Sequence, residues 1–138
     1  MRRIAAVVAT LVLAACNGQT QDATAGTTLN QPATANATSE TTQQVLAETV
    51  TQAIYSNSAD GVRANLSPMV AYGVQRSEVG LLSDKMHALG DYKGLTRVST
   101  DDVRHESTFR AAFDKGNMTV IVRDGGDGKL AAYRIASR

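Results

Sequence analysis

Residues 104–137 read RHESTFRAAFDKGNMTVIVRDGGDGKLAAYRIAS, and this stretch decides the fold. Apolar and polar side chains alternate with a period of two, the spacing of a half-buried strand. Two turn signals interrupt the alternation, Asp114-Lys115-Gly116-Asn117 and Gly125-Gly126-Asp127-Gly128, and both suit hairpin loops. The predicted strands are 104–114, 118–124 and 129–137, preceded by one over 95–100. Pairing Phe113 with Met118 sets Ala111 against Val120 and Phe109 against Val122. Pairing Asp124 with Lys129 sets Val122 against Ala131, Val120 against Tyr133 and Met118 against Ile135. One face is then apolar across three strands with no register forced. The expected sheet is a four-stranded antiparallel meander.

The same register defines the opposite face. It places Arg110 beside Ile121, Arg123 beside Thr108 and Leu130, and Arg134 beside Thr119, with Ala112 and Ala132 completing the surface. Three arginines interleaved with Ile121 and Leu130 have the composition of a partner surface. Arg110, Ile121, Arg123, Leu130 and Arg134 are therefore the candidate contacts for self-association or for docking on another protein.

Upstream of the strands the period is helical. Thr41 with Gln44 suits a capping box, and Leu46, Val50, Ala53 and Ile54 recur at helical spacing up to a stop at Asn57. Ser58 is placed to cap a short helix over 60–65, after which Ser67-Pro68 breaks the chain. Ser77 is the expected cap of a third helix, with Val79, Leu82, Met86 and Leu89 on one face and Gly90 as its end signal. Gly80 weakens that helix by about 1 kcal/mol relative to Ala. Two to three helices followed by an antiparallel sheet make an α+β domain over 42–138.

The chain has 138 residues, enough for one such domain and a tail. Residues 17–41 are rich in Thr and Ala, with Leu29 their one large apolar residue and Asp22 and Glu40 their charges. This composition buries too little apolar surface to offset ordering entropy, so 16–41 is expected to be a disordered tether. Asn36-Ala37-Thr38 matches a glycosylation sequon by chance. Before the tether, Arg2 and Arg3 precede an uncharged apolar run from Ile4 to Leu13 and the small residues Ala14 and Ala15. That is the layout of a secretory signal peptide over 1–15, too short to span a bilayer.

The run closes on Leu13-Ala14-Ala15-Cys16, which resembles the lipobox of bacterial lipoproteins. The resemblance implies cleavage between Ala15 and Cys16, diacylglycerol on the Cys16 thiol, and acylation, palmitate among the chains, of the new amino terminus. Each buried methylene contributes about 0.8 kcal/mol, so two or three acyl chains anchor far more firmly than one. Asn17, where lipoproteins retained at the inner membrane tend to carry Asp, implies an outer-membrane anchor facing the periplasm.

A second resemblance lies in the domain. Leu66-Ser67-Pro68, the helix at Ser77 and Leu89-Gly90-Asp91-Tyr92-Lys93 are similar to a small bacterial domain of unknown function. Phe113-Asp114-Lys115-Gly116 and Asp127-Gly128-Lys129-Leu130 resemble its two hairpins. The resemblance implies the cystatin-like fold of the superfamily typified by nuclear transport factor two and the SnoaL-like proteins. It carries fold signals and no catalytic residues.

Candidate chemistry is sparse. His87, with Asp84 three residues before and Asp91 four after, can form a cluster on one helical face, where a His–Asp pair would serve as a general base. His105 is expected inward at the sheet's end, beside Ser107 and Phe109. Both read better as ordinary surface and core-edge histidines. A third metal ligand at a recognised spacing is missing, and Asp124 to Gly128 lacks the later ligands of a calcium loop. No phosphate loop follows those glycines, and neither Ser67 nor Ser77 sits in a nucleophile elbow. One cysteine excludes an internal disulfide and a cysteine-built zinc site.

The net charge is +1, and without Arg2 and Arg3 it becomes 12 basic against 13 acidic residues, which argues against nucleic acid as a partner. The expected partners are the bilayer, through acylated Cys16, and an envelope protein or second copy. No cofactor is expected. The leading expectation is a non-catalytic, membrane-anchored lipoprotein whose domain binds a partner or small ligand. An enzyme with a histidine pocket between helices and sheet, and a passive envelope component, are the alternatives.

Overall fold

The computed structural model describes residues 33–136. The expected signal peptide, Cys16 and most of the expected tether lie outside the described residues. Four helices precede four strands: α1 (Ala33–Tyr55), α2 (Ala59–Ala64), α3 (Pro68–Gly73), α4 (Arg76–Ala88), then β1 (Tyr92–Asp101), β2 (Glu106–Phe113), β3 (Gly116–Asp124) and β4 (Leu130–Ala136). The α+β class and the order of helices before strands are as the sequence predicts.

Helix α1 begins at Ala33, eight residues before the expected cap at Thr41, so the tether is shorter at this end than its composition suggests. Ala33, Ala35 and Ala37 are the strongest helix formers available. A tertiary contact also holds the added turns, since Glu40 reaches across to Arg97 of β1 at 2.9 Å. From there the buried stripe of α1 runs Gln43, Ala47, Val50, Thr51 and Ile54, the i, i+4, i+7, i+8, i+11 pattern of a core-facing helix.

Ser58 caps α2 as expected, its Oγ accepting from the Gly61 amide at 3.2 Å. Ser67-Pro68 starts a helix where a plain break is predicted, because proline at the first helical position loses no hydrogen bond that the helix would make there. The helix count among the described residues is therefore four. Helix α4 is capped by Gln75 rather than Ser77, without a side-chain hydrogen bond. Its Val79, Ser83 and Met86 are buried, and Gly90 ends it at φ +93°, as its residue type foretells.

The strands form one antiparallel sheet in the order β1-β2-β3-β4. Both hairpin registers sit two residues from the expected ones. Phe113 pairs with Gly116, Phe109 with Val120, Val120 with Ile135 and Val122 with Tyr133. The first turn is tightened to Asp114 and Lys115 by the α4–β1 corner, where the Lys115 amide donates to Leu89 O and the Asp91 amide to Asp114 Oδ2. A shift of two leaves every side chain on its predicted face, because the side-chain period is two. Phe109, Ala111, Phe113, Val120 and Val122 accordingly lie in the core with Val50, Ile54, Met86 and Leu95.

Leu130 is the exception. It was expected on the outer face and is fully buried. Arg123 pairs with Ala132 but Asp124 pairs with Leu130, so Ala131 is an extra residue in β4. That single-residue bulge reverses the facing of everything before it. The chain at 65–67 holds Leu130 there, with its amide donating to Asn65 O at 3.0 Å and its carbonyl accepting from the Ser67 amide at 2.9 Å.

Candidate functional site

Two surfaces of the sheet do different work. The inner one is filled. Besides the apolar core, three polar ties span from α1 to the sheet. Ser107 Oγ donates to Gln43 Oε1 at 2.5 Å, Thr51 Oγ1 and Tyr133 Oη lie 2.7 Å apart, and Arg97 pairs with Glu40. The Arg97 guanidinium also lies 5.4 Å over the Phe109 ring. Arg97 faces inward because β1 carries one extra residue at Lys93 and a second at Val98, which set its alternation against β2. Burial pushes the Tyr92 and Tyr133 phenols well above the ordinary tyrosine range, with the Glu48 carboxylate adding to the effect.

The outer surface carries no helix of the described chain. Its side chains form rows across the strands. Thr96, Arg110, Thr119 and Ala136 make one row; Ser99, Thr108, Ile121 and Arg134 the next; Asp101, Glu106, Arg123 and Ala132 the third. Arg110 is the one long side chain among small ones, and a hollow of about 490 Å³ results, lined by Val98, Thr108, Arg110, Asn117, Thr119 and Ala136. Arg134 gives its charge to Glu106, Nη2 to Oε1 at 3.0 Å. Arg110 and Arg123 are exposed and make no ion pair with any described residue.

Of the five candidate contacts, the structure thus brings Arg110, Ile121, Arg123 and Arg134 onto one surface and removes Leu130 to the core. Thr108, Thr119 and Ala132 join that surface as the alternation predicts, and Ala112 flanks it. Val98 and Asn117 were not foreseen as part of it. Asn117 was read as part of a turn. Val98 needs the β1 bulge, for which the sequence offers no turn residue or glycine at that position.

Neither histidine makes a catalytic arrangement. The His87 ring stacks on Tyr55 with centroids 4.1 Å apart, and its Nε2 lies 2.9 Å from Tyr55 O, so it ties the end of α4 to the end of α1. Ser83 Oγ donates to the same carbonyl at 3.0 Å. Asp91 is engaged elsewhere, near Lys93, and no hydrogen bond joins it or Asp84 to His87. His105, expected inward at the sheet's end, is exposed in the β1–β2 turn at φ +52°. The strand begins one residue later, because His105 takes the left-handed conformation that closes the turn. Among the described residues no three His, Cys, Asp or Glu side chains are grouped to hold a metal ion. The glycine-rich β3–β4 loop uses its acids on itself, Asp124 Oδ1 accepting from the Gly126 amide and Asp127 Oδ1 from the Lys129 amide.

Among the described residues no helix is long and apolar enough to cross a membrane. No protein-family model, curated protein or solved structure matches the chain.

Proposed function

We propose that this chain is a periplasm-facing bacterial lipoprotein, acylated at Cys16 and sorted to the outer membrane by Asn17, whose domain is a non-catalytic binding module of the cystatin-like kind. The observation that carries the binding role is the contrast between the two sheet faces. The inner face is occupied to its polar fringe by α1, with Val79 and Met86 of α4 in the same core, leaving its histidine-free centre to packing. The outer face keeps a hollow and two arginines in reach of solvent that make no ion pair among the described residues. Arginine beside Ile121 and small hydroxyl side chains is a composition that recurs at protein contacts. The anchor is supported by Leu13-Ala14-Ala15-Cys16, and the membership by the turn and core signals at 66–68, 89–93 and 113–116.

The test is a photo-crosslinking residue at Thr119 in intact envelopes, compared with Ile121→Glu and Arg123→Glu variants. A defined crosslinked protein or ligand that both variants lose is the expected result. Unchanged crosslinks, pull-down partners and oligomeric state in the variants would remove the outer face from the reading.

A further inference from the structure

Resting on the binding role proposed for the outer face, we infer that this face takes an extended acidic segment of another protein, with carboxylates four residues apart and an apolar side chain midway. The spacing follows from the register. Arg110 pairs with Thr119, and Arg123 stands four residues further along β3, so the two arginine positions are about 14 Å apart along the strands. Ile121 stands between them on the same face. An extended peptide rises about 3.4 Å per residue and points residues i, i+2 and i+4 to one side. Acid, apolar, acid at those positions therefore meets Arg110, Ile121 and Arg123 in order.

The hollow beside Arg110 adds room for the first carboxylate, with the Thr108 and Thr119 hydroxyls and the Asn117 amide as further hydrogen-bond partners. Guanidinium binds carboxylate through two parallel bonds, and Arg110 has no competing carboxylate among the described residues. Glu106, the cross-strand neighbour of Arg123, has its ion pair with Arg134. A second copy of this chain does not supply the occupant. Asp102 and Glu106 are its one pair of acids four apart, and Arg104 stands between them.

The experiment measures fluorescence anisotropy of labelled peptides against the full chain held in nonionic detergent micelles. Three peptides are compared: Glu-Thr-Val-Thr-Glu, its Gln-for-Glu analogue, and Glu-Glu-Val-Thr-Thr. The first is expected to bind best, and Arg110→Ala and Arg123→Ala each to weaken it by about three- to ten-fold with unchanged circular dichroism. Raising salt from about 50 to about 300 mM should weaken it further. Equal binding of all three peptides, no binding, or indifference to both arginines overturns the inference. A crosslinked partner captured through Thr119 alongside inert peptides would overturn it while leaving the binding role intact; loss of both results would end both.

Discussion

Arg97 shows how one residue couples distant parts of the chain. Its side chain is 22% exposed, its guanidinium meets Glu40 and Phe109, and its Nε has no hydrogen-bond partner. Removing Glu40 leaves a largely buried cation without its counter-charge, whereas replacing both partners by apolar groups removes the problem. Glu40→Gln is expected to destabilise by about 1–3 kcal/mol, and Glu40→Leu with Arg97→Met by less than the sum of the single changes. Urea unfolding of the four-member cycle measures the coupling, and strict additivity would show that the pair contributes nothing.

Asp114 carries a pH signature at the same scale. The Lys93 ammonium at 2.9 Å and the Asp91 amide hold its carboxyl below the usual carboxylate range, and Asp114 in turn holds Lys93 above the usual lysine range. A depressed carboxyl adds stability that is present above the ordinary value of about 3.9 and lost as pH falls through the lowered one. The raised lysine adds stability below its ordinary value of about 10.4, lost as pH rises through the raised one. The wild-type advantage over Asp114→Asn should therefore be full near neutral pH and shrink at both extremes. Thermal midpoints across pH check this, and a gap that widens in acid would contradict it.

Among the elements, α4 and β4 give opposite lessons about legibility. The apolar face and glycine stop of α4 are readable, because periodicity and a positive-φ end are local properties. Its start is less so. Ser77 is the better cap by residue type, yet Gln75 holds the extended cap conformation at φ −95° and ψ 138°. Gln75→Asp should stabilise by about 0.5–2 kcal/mol by adding the missing side-chain acceptor. A thermal midpoint that does not rise would show that the first turn is already satisfied. In β4 the alternation is legible from Ala132 onward and misleading before it. The bulge at Ala131 depends on the backbone of 65–67 pulling Leu130 inward, a long-range contact with no local signature. Deleting Ala131 should cost less than Leu130→Ala, about 2–5 kcal/mol, since Leu130 then directly precedes the outward Ala132 and regular alternation keeps it inward opposite Asp124. Equilibrium unfolding of the two variants provides the comparison. The outer surface was legible wherever it depended on parity alone, as for Arg110, Ile121, Arg123 and Arg134, and failed at Leu130 and Val98, where bulges intervene.

At the scale of the molecule, the proposed anchor and the domain divide the chain between them. The lipid attachment rests on one residue, so Cys16→Ser should move the protein from the membrane fraction to the soluble periplasmic fraction without altering the unfolding transition of the domain. Metabolic labelling with palmitate should fail in the same variant. Continued labelling or membrane retention would place the anchor elsewhere.

Helices on one side of the sheet and none of the described chain on the other also give the two faces separate evolutionary freedom. Substitutions at Phe109 or Val120 must be matched by neighbours in a close-packed interior. Changes at Thr108, Arg110, Thr119 or Ile121 would alter the proposed binding surface while the alternate residues of the same strands go on holding the fold. On the proposed binding role, a lineage carrying this domain could exchange one preference for another through a few outward positions, and the same positions are the natural ones to randomise when the domain is used as a scaffold.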